Sequence, residues 1–193
     1  MRIARVLTRL NLGGPARQAL AGDPLLARRG HQVRLFAGTP EPGEGDLCGR
    51  AQELGLDALR VPGLARGWSV AGDLQAGRYL RRALREFAPD VVHTHASKAG
   101  ALGRTAVRSL ACARVHTFHG HVLEGYFPAP LARGLVALER RLARDTDRVV
   151  AVSHATADDL VRLGVVAEER LVVVRPGVGL APLLAIGARP GAL

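Results

Sequence analysis

Short apolar runs and amphipathic helical stretches alternate along nearly all of the 193-residue chain, and this alternation constrains the fold more than any other feature. Residues 3–7, 32–36, 59–61, 90–93, 114–118, 148–152 and 171–174 read as strands. The run 148–152 is almost continuously apolar, as expected of a strand covered on both faces. Helical periodicity fills the gaps. A first helix follows the turn Asn11-Leu12-Gly13-Gly14-Pro15, with Pro15 suited to its first turn. A break or kink is expected at Gly22-Asp23-Pro24, after which the helix resumes to Arg29 and stops at Gly30. Residues 38–72 are the least regular, with one short helix near 47–54. Over 73–87, Leu80, Leu84 and Phe87 share a face opposite Arg78, Arg81, Arg82 and Arg85. Further helices are expected over 99–111 behind a Ser97 cap, after Pro128 and Pro130, and over 156–163. In the second of these, Leu131, Leu135, Leu138 and Leu142 recur at helical spacing. The order predicts an α/β fold with a doubly wound, mostly parallel, Rossmann-like sheet.

Composition narrows the function classes. No apolar run approaches the roughly 18–20 residues that span a bilayer. Arg5 and Arg9 interrupt the only apolar run near the N-terminus, so a secretory signal is not expected. Two cysteines, Cys48 and Cys112, are too few for a disulfide framework or a cysteine zinc site. The formal net charge is +10, and every basic residue but Lys98 is arginine. Residues 1–96 carry 14 basic and 9 acidic groups and residues 97–193 carry 13 and 8, so no basic arm exists of the kind that grips nucleic acid. Such a diffusely basic surface suits anionic partners: phosphorylated substrates or an acidic membrane face. The arginine face of 73–87 is either simply solvated or part of such a surface.

In doubly wound sheets, ligands bind beyond the carboxyl ends of the strands. Gly13-Gly14-Pro15 follows the first predicted strand. The run from His93 to Gly100 follows the fourth, His119-Gly120-His121 and Glu124-Gly125-Tyr126 the fifth, and Ser153-His154 the sixth. Five of seven histidines, the only lysine and the paired glycines would thus gather on one edge. The glycine pair either marks a tight turn or lets backbone N–H groups approach a phosphate at a helix N-terminus. Neither Gly-x-Gly-x-x-Gly nor a Gly-Lys-Ser/Thr P-loop is present, which disfavours dinucleotide and P-loop chemistry. No serine sits in a Gly-x-Ser-x-Gly elbow. Lys98 either reaches an anion or is solvated. The His93/His95 and His119/His121 pairs have zinc-like spacing, but His93 and His95 read better as hydrogen-bonded rim residues, and no metal is expected. His119 and His121, in a glycine-containing loop, suit ligand contact or acid–base work.

Four segments, RVLTRLNLGGP (5–15), HTHASKAGALGR (93–104), VHTFHGHVLEGYF (115–127) and VVAVSHATADDL (149–160), resemble the N-terminal domain of glycosyltransferase family 4 in order, spacing and context. The resemblance runs over about residues 1–178. It implies one half of a GT-B architecture, a retaining mechanism without metal or cofactor, and a nucleotide sugar as co-substrate. By motif, Gly13 and Gly14 would approach the donor diphosphate and His119 would face the transferred sugar as the catalytic residue. Lys98, Glu124 and Tyr126 would lie on the acceptor side, with His121 and Ser153 as further substrate contacts. Residues 179–193 would be a truncated interdomain linker, with Val178-Gly179-Leu180 where the family more often has Val-Asp-Leu. A chain lacking the donor-binding domain would be inactive alone: a fragment, or one half of a two-chain enzyme. The implied acceptor is a lipid-linked or cell-envelope saccharide, met in the cytoplasm or at the inner membrane face. The competing reading is a non-catalytic module that binds an anionic glycan or lipid head group.

Overall fold

A computed structural model describes residues 1–121 and 123–177; the expected linker, 179–193, lies outside the described residues. The strands are β1 (Arg2–Leu7), β2 (Gln32–Ala37), β3 (Asp57–Arg60), β4 (Val91–His95), β5 (Ala113–Phe118), β6 (Arg148–Ala151) and β7 (Leu171–Val173). Between them run helices α1 (Gly14–Arg28), α2 (Cys48–Glu53), α3 (Val70–Phe87), α4 (Ser97–Ala106), α5 (Ala129–Arg144) and α6 (His154–Arg162), with a 3-10 turn at Glu168–Arg170 before β7. The strands form one sheet in the order β3-β2-β1-β4-β5-β6-β7, and every pairing is parallel. This is the expected doubly wound sheet. Strand order reverses between β1 and β4, which makes that junction the switch point where such sheets bind ligands.

The two-residue strand period sorts the core. Ala4 and Val6 of β1, with Phe36 and Val92, pack on Ala76, Leu80, Leu84 and Phe87 of α3. On the other face Ile3 and Leu7, with Val33 and Leu35, meet Ala16, Ala19 and Leu20 of α1. A third cluster joins Phe118, Val149 and Ala151 to Ala157 and Leu160 of α6. Each fully buried leucine or phenylalanine contributes about 1.5–3 kcal/mol, so Leu80, Leu84 and Phe87 anchor α3 as its spacing predicts. The arginines opposite them are exposed. The helix begins earlier than its apolar pattern does, because the Ser69 hydroxyl accepts a hydrogen bond from the Gly72 N–H at 3.1 Å.

Three expectations need correction. Gly22-Asp23-Pro24 does not break α1, which runs unbroken through Pro24. Asp23 is fully buried and paired with Arg5 of β1, a contact that ties the helix to the sheet across the local defect. Ser97 is the first residue of α4, not its cap; Ala96 holds the cap position with φ +59° and ψ 167°, and the helix ends at Ala106. β4 extends to His95, making that histidine a strand residue. Along the leucine row of α5, Leu131 and Leu138 are exposed and Leu142 is buried.

Candidate active-site cleft

Beyond the ends of β1 and β4 lies a cleft of about 640 Å³. Arg9, Asn11 and Gly13 reach it after β1, and His95, Ala96 and Lys98 at the end of β4. Tyr126 and Phe127 close it from the loop after β5, Arg66 and Trp68 from the loop before α3, and Leu135, Leu138 and Glu139 from α5. A few polar groups thus converge among apolar side chains, the usual make-up of a small-molecule site. A shallower depression of about 410 Å³ beside α1, lined by Arg5, Leu25 and Arg28 among others, brings no such set together.

The glycine pair stands at the start of α1, and Gly13 lines the cleft whereas Gly14 does not. Gly13 precedes α1 and its N–H donates to Asn11 Oδ1 at 3.1 Å. No side chain caps this helix, and Pro15 has no N–H to satisfy. The exposed Gly14 N–H therefore stays open among the described residues, at the positive end of the helix dipole. Lys98, on the first turn of α4, donates to Asp73 Oδ1 at 2.8 Å and to the Gly67 carbonyl, so it is a fixed charge at the cleft wall. Ala96 lies in a backbone region that glycine alone adopts easily, at a cost of about 1–3 kcal/mol.

Beneath the cleft, residues of alternate register meet on the α1 side of the sheet. Arg5 pairs with His93 across β1 and β4, and His95 with Thr117 across β4 and β5. Arg5 Nε donates to Asp23 Oδ1 at 2.9 Å, and its Nη1 donates to His93 Nδ1 at 2.5 Å and His95 Nε2 at 3.2 Å. His93 Nε2 lies 2.7 Å from Thr117 Oγ1, and His95 Nδ1 lies 2.9 Å from His119 Nε2. Burial holds the His93 and His95 imidazoles well below their ordinary pKa, and the Arg5 charge adds to it. Burial, then Arg5, brings His119 down to about 4. All three rings are neutral at pH 7. With Arg5 on their lone pairs, His93 and His95 act as rim residues held by hydrogen bonds.

His121, Glu124 and Ser153 form a separate group over α6. His121 Nε2 lies 3.0 Å from Asp159 Oδ2, and Glu124 Oε1 accepts from Arg162 at 3.1 Å. Hydrogen bonding to Arg162 lowers both carboxyls, Glu124 and Asp159. The Ser153 hydroxyl caps α6, accepting from the Thr156 N–H at 3.2 Å. Gly13, Lys98 and Tyr126 therefore line one cleft, His119 joins it through His95, and these three stand on the same sheet edge without lining it.

The sequence profile of Glycosyltransferase Family 4 matches residues 13–181. The chain belongs to glycosyltransferase family 4. This family 4 chain is 31% identical over 125 residues to the UDP-Gal:alpha-D-GlcNAc-diphosphoundecaprenol alpha-1,3-galactosyltransferase of Escherichia coli, covering 64% of this chain and 32% of that protein. It is 31% identical over 173 residues to a D-inositol 3-phosphate glycosyltransferase of Xylanimonas cellulosilytica, covering 80% of this chain and 40% of the other. Among solved structures, a glycosyltransferase from Rickettsia africae superposes with a TM-score of 0.69 at 16% identity, over 98% of this chain and 46% of that one. Anabaena HepE in complex with UDP gives 0.68 at 16% identity, over 94% and 45%. The family 4 chain thus spans less than half the length of these relatives, and its fold is that of one half of a GT-B glycosyltransferase.

Several cleft residues carry no motif. Arg66, Trp68 and Asp73 come from an irregular loop and a helix start, whereas Arg9 and Asn11 lie within the segment 5–15 but had no role assigned to them. Arg5 and Asp23 did leave a signal: a charge inside a central strand, and an acid inside a helix that should pack on that strand.

Proposed function

We propose that this chain is the acceptor-side half of a retaining glycosyltransferase that moves a hexosyl group from a UDP- or GDP-sugar to a lipid-linked or cell-envelope saccharide. The supporting observation is the cleft at the switch point, where Gly13, Lys98 and Tyr126 converge with His95 and, behind it, His119. The open Gly14 N–H at the start of α1 suits the donor diphosphate, whose charge grows as the sugar leaves. His119 faces the transferred sugar. Arg66 offers positive charge to a phosphorylated acceptor beside Arg9 and Lys98, which are ion-paired to Glu44 and Asp73, and the exposed rings of Trp68 and Tyr126 offer flat faces to its sugar. Glu124, His121 and Ser153 border the acceptor path. Residues 1–178 form this half, residues 179–193 lead towards a donor-binding half, and no metal or cofactor takes part.

The names of the relatives bear on the acceptor. One acts on a saccharide diphosphoundecaprenol and another on an inositol phosphate, so a phosphorylated acceptor is the shared chemistry. The exposed Leu131 and Leu138 of α5, with the exposed arginines of α3, suit contact with an anionic membrane surface. No helix of the described residues is long and apolar enough to cross a membrane.

The test uses the chain alone and the chain mixed with the donor half of the Escherichia coli relative. Labelled UDP- and GDP-hexoses are supplied with a GlcNAc-diphospho-lipid or inositol 3-phosphate. The expected result is saturable acceptor binding by the chain alone, and transfer only in the mixture. Fast transfer by the chain alone, or no binding of either acceptor, overturns the reading.

A further inference from the structure

Arg5 is the least expected residue of the sheet. It sits in β1, a central strand, with only 11% of its side chain exposed, and its partner Asp23 is fully buried. Ion pairs withdrawn from water are seldom better for stability than apolar residues of the same size, so stability alone does not explain a guanidinium at this position. What the guanidinium does have is a fixed hydrogen-bonding sense: five donors and no acceptor.

That sense propagates. Arg5 Nη1 donates to His95 Nε2 at 3.2 Å, so this nitrogen must accept and the His95 proton must sit on Nδ1. His95 Nδ1 then donates to His119 Nε2 at 2.9 Å, so Nε2 of His119 must also accept. The proton of neutral His119 is thereby placed on Nδ1, which has no partner among the described residues and is not a buried orphan. The same logic runs to the side: His93 Nδ1 accepts from Arg5 at 2.5 Å, and its Nε2–H donates to Thr117 Oγ1 at 2.7 Å. Free imidazoles choose their tautomer weakly, whereas here one arginine chooses for three rings.

We propose that Arg5, held by Asp23 and acting through His95, is a positioning residue that locks His119 as the Nδ1–H tautomer. His119 thereby becomes a fixed hydrogen-bond donor to a hydroxyl or ring oxygen of the bound sugar and cannot serve as a proton-accepting base through its inward nitrogen. The locking concerns this chain's own residues; its bearing on the sugar rests on the transferase reading. Groups facing His119 from the packed elements are Arg5 of β1, His93 and His95 of β4 and, behind Arg5, Asp23 of α1.

The test reads tautomers rather than turnover. The full 193-residue chain, labelled with ¹⁵N-histidine, is measured by long-range ¹H–¹⁵N correlation at neutral pH. His95 and His119 are expected to show the protonated, pyrrole-type nitrogen at Nδ1, and His93 at Nε2. A pyrrole-type Nε2 on His119 in the unaltered chain overturns the proposal. In His95→Phe, His119 should relax to a mixture of tautomers, while His95→Asn, whose amide N–H stands where Nδ1 stood, should keep the locked pattern. Unchanged His119 shifts in His95→Phe also overturn it. The pair Arg5→Met with Asp23→Leu avoids stranding a buried charge and should release His95 and His119 together. Because these readouts need no substrate, failed transfer in the mixing experiment leaves this inference standing. In the mixed enzyme, His95→Phe should lower kcat about 10- to 100-fold with acceptor KM unchanged, and His95→Asn should restore most of it.

Discussion

Arg104 of α4 and Glu139 of α5 form an ion pair at 2.6 Å in which both side chains are almost wholly withdrawn from water. Arg104 Nε also donates to the Gly100 carbonyl at 2.9 Å, so the guanidinium is fixed at both ends. Glu139 lines the cleft, which makes this pair the tie that sets α5 against the rest of the site.

Removing one member should cost far more than removing both. Glu139→Ala leaves a buried guanidinium uncompensated and is expected to destabilise the chain by about 3–5 kcal/mol, whereas Arg104→Met with Glu139→Leu should recover most of that loss. Urea denaturation of the two variants beside the unaltered chain measures the difference. A single-variant loss under about 1 kcal/mol would contradict the buried geometry.

The backbone before α4 predicts a substitution of opposite sign. Ala96 at φ +59° is strained, and Ala96→Gly is expected to stabilise by about 1 kcal/mol, a rise of about 2–4 °C in Tm. Four residues on, Gly100→Ala would place a Cβ 2.4 Å from His116 Cε1. His116 is fully buried and held at 2.8 Å to Thr94 Oγ1, so it has nowhere to retreat, and a loss of about 1–3 kcal/mol is expected.

Stability should fall as acid is added, from near pH 6.5. His93, His95, His116 and His119 all have pKa values depressed in the folded chain, chiefly by burial, His119 to about 4. The unfolded chain therefore binds more protons below 6.5, and the stability present above that pH is lost as pH drops towards 4. Each histidine still neutral in the fold contributes up to about 1.4 kcal/mol of loss by pH 5.5. Thermal melts at pH 7.5 and 5.5 should separate clearly, and His119→Gln should narrow the gap.

Exchange of the donor on His119 tests its place in the transferase. In the chain mixed with a donor-binding half, His119→Ala is expected to lower kcat about 10²- to 10³-fold, as for loss of one preorganised hydrogen-bond donor, while acceptor affinity of the chain alone stays within about twofold. Equal loss of acceptor binding would move His119 out of the reaction centre.

The sheet was legible because its strands and helices repeat with two different periods, and burial follows period. Leu80, Leu84 and Phe87 could be assigned from spacing alone. Helix ends were less legible: Ser69 caps α3 from outside its apolar pattern, and Ser97 looks like a cap yet begins the helix. The α5 leucines share a helical spacing, but spacing does not tell a core face from a cleft wall. Of the site, Gly13, Lys98 and His119 were visible because they follow strand ends. Arg5 and Asp23 were visible only as two separate anomalies, and pairing them requires knowing that α1 crosses β1. Loop residues such as Trp68 have no period to betray them.

The contact between Arg5 and His93 spans 88 residues of sequence, because β1 waits for β2, β3 and three helices before β4 joins its free edge. Closing so long a loop is slow and entropically costly relative to local pairing. During synthesis, then, the first hundred residues must emerge before the strand-one guanidinium meets its imidazoles, while Asp23, its ion-pair partner, is made early. Nascent chains arrested short of β4 should expose that strand edge and depend on chaperones, while those that pass it should quickly resist proteases.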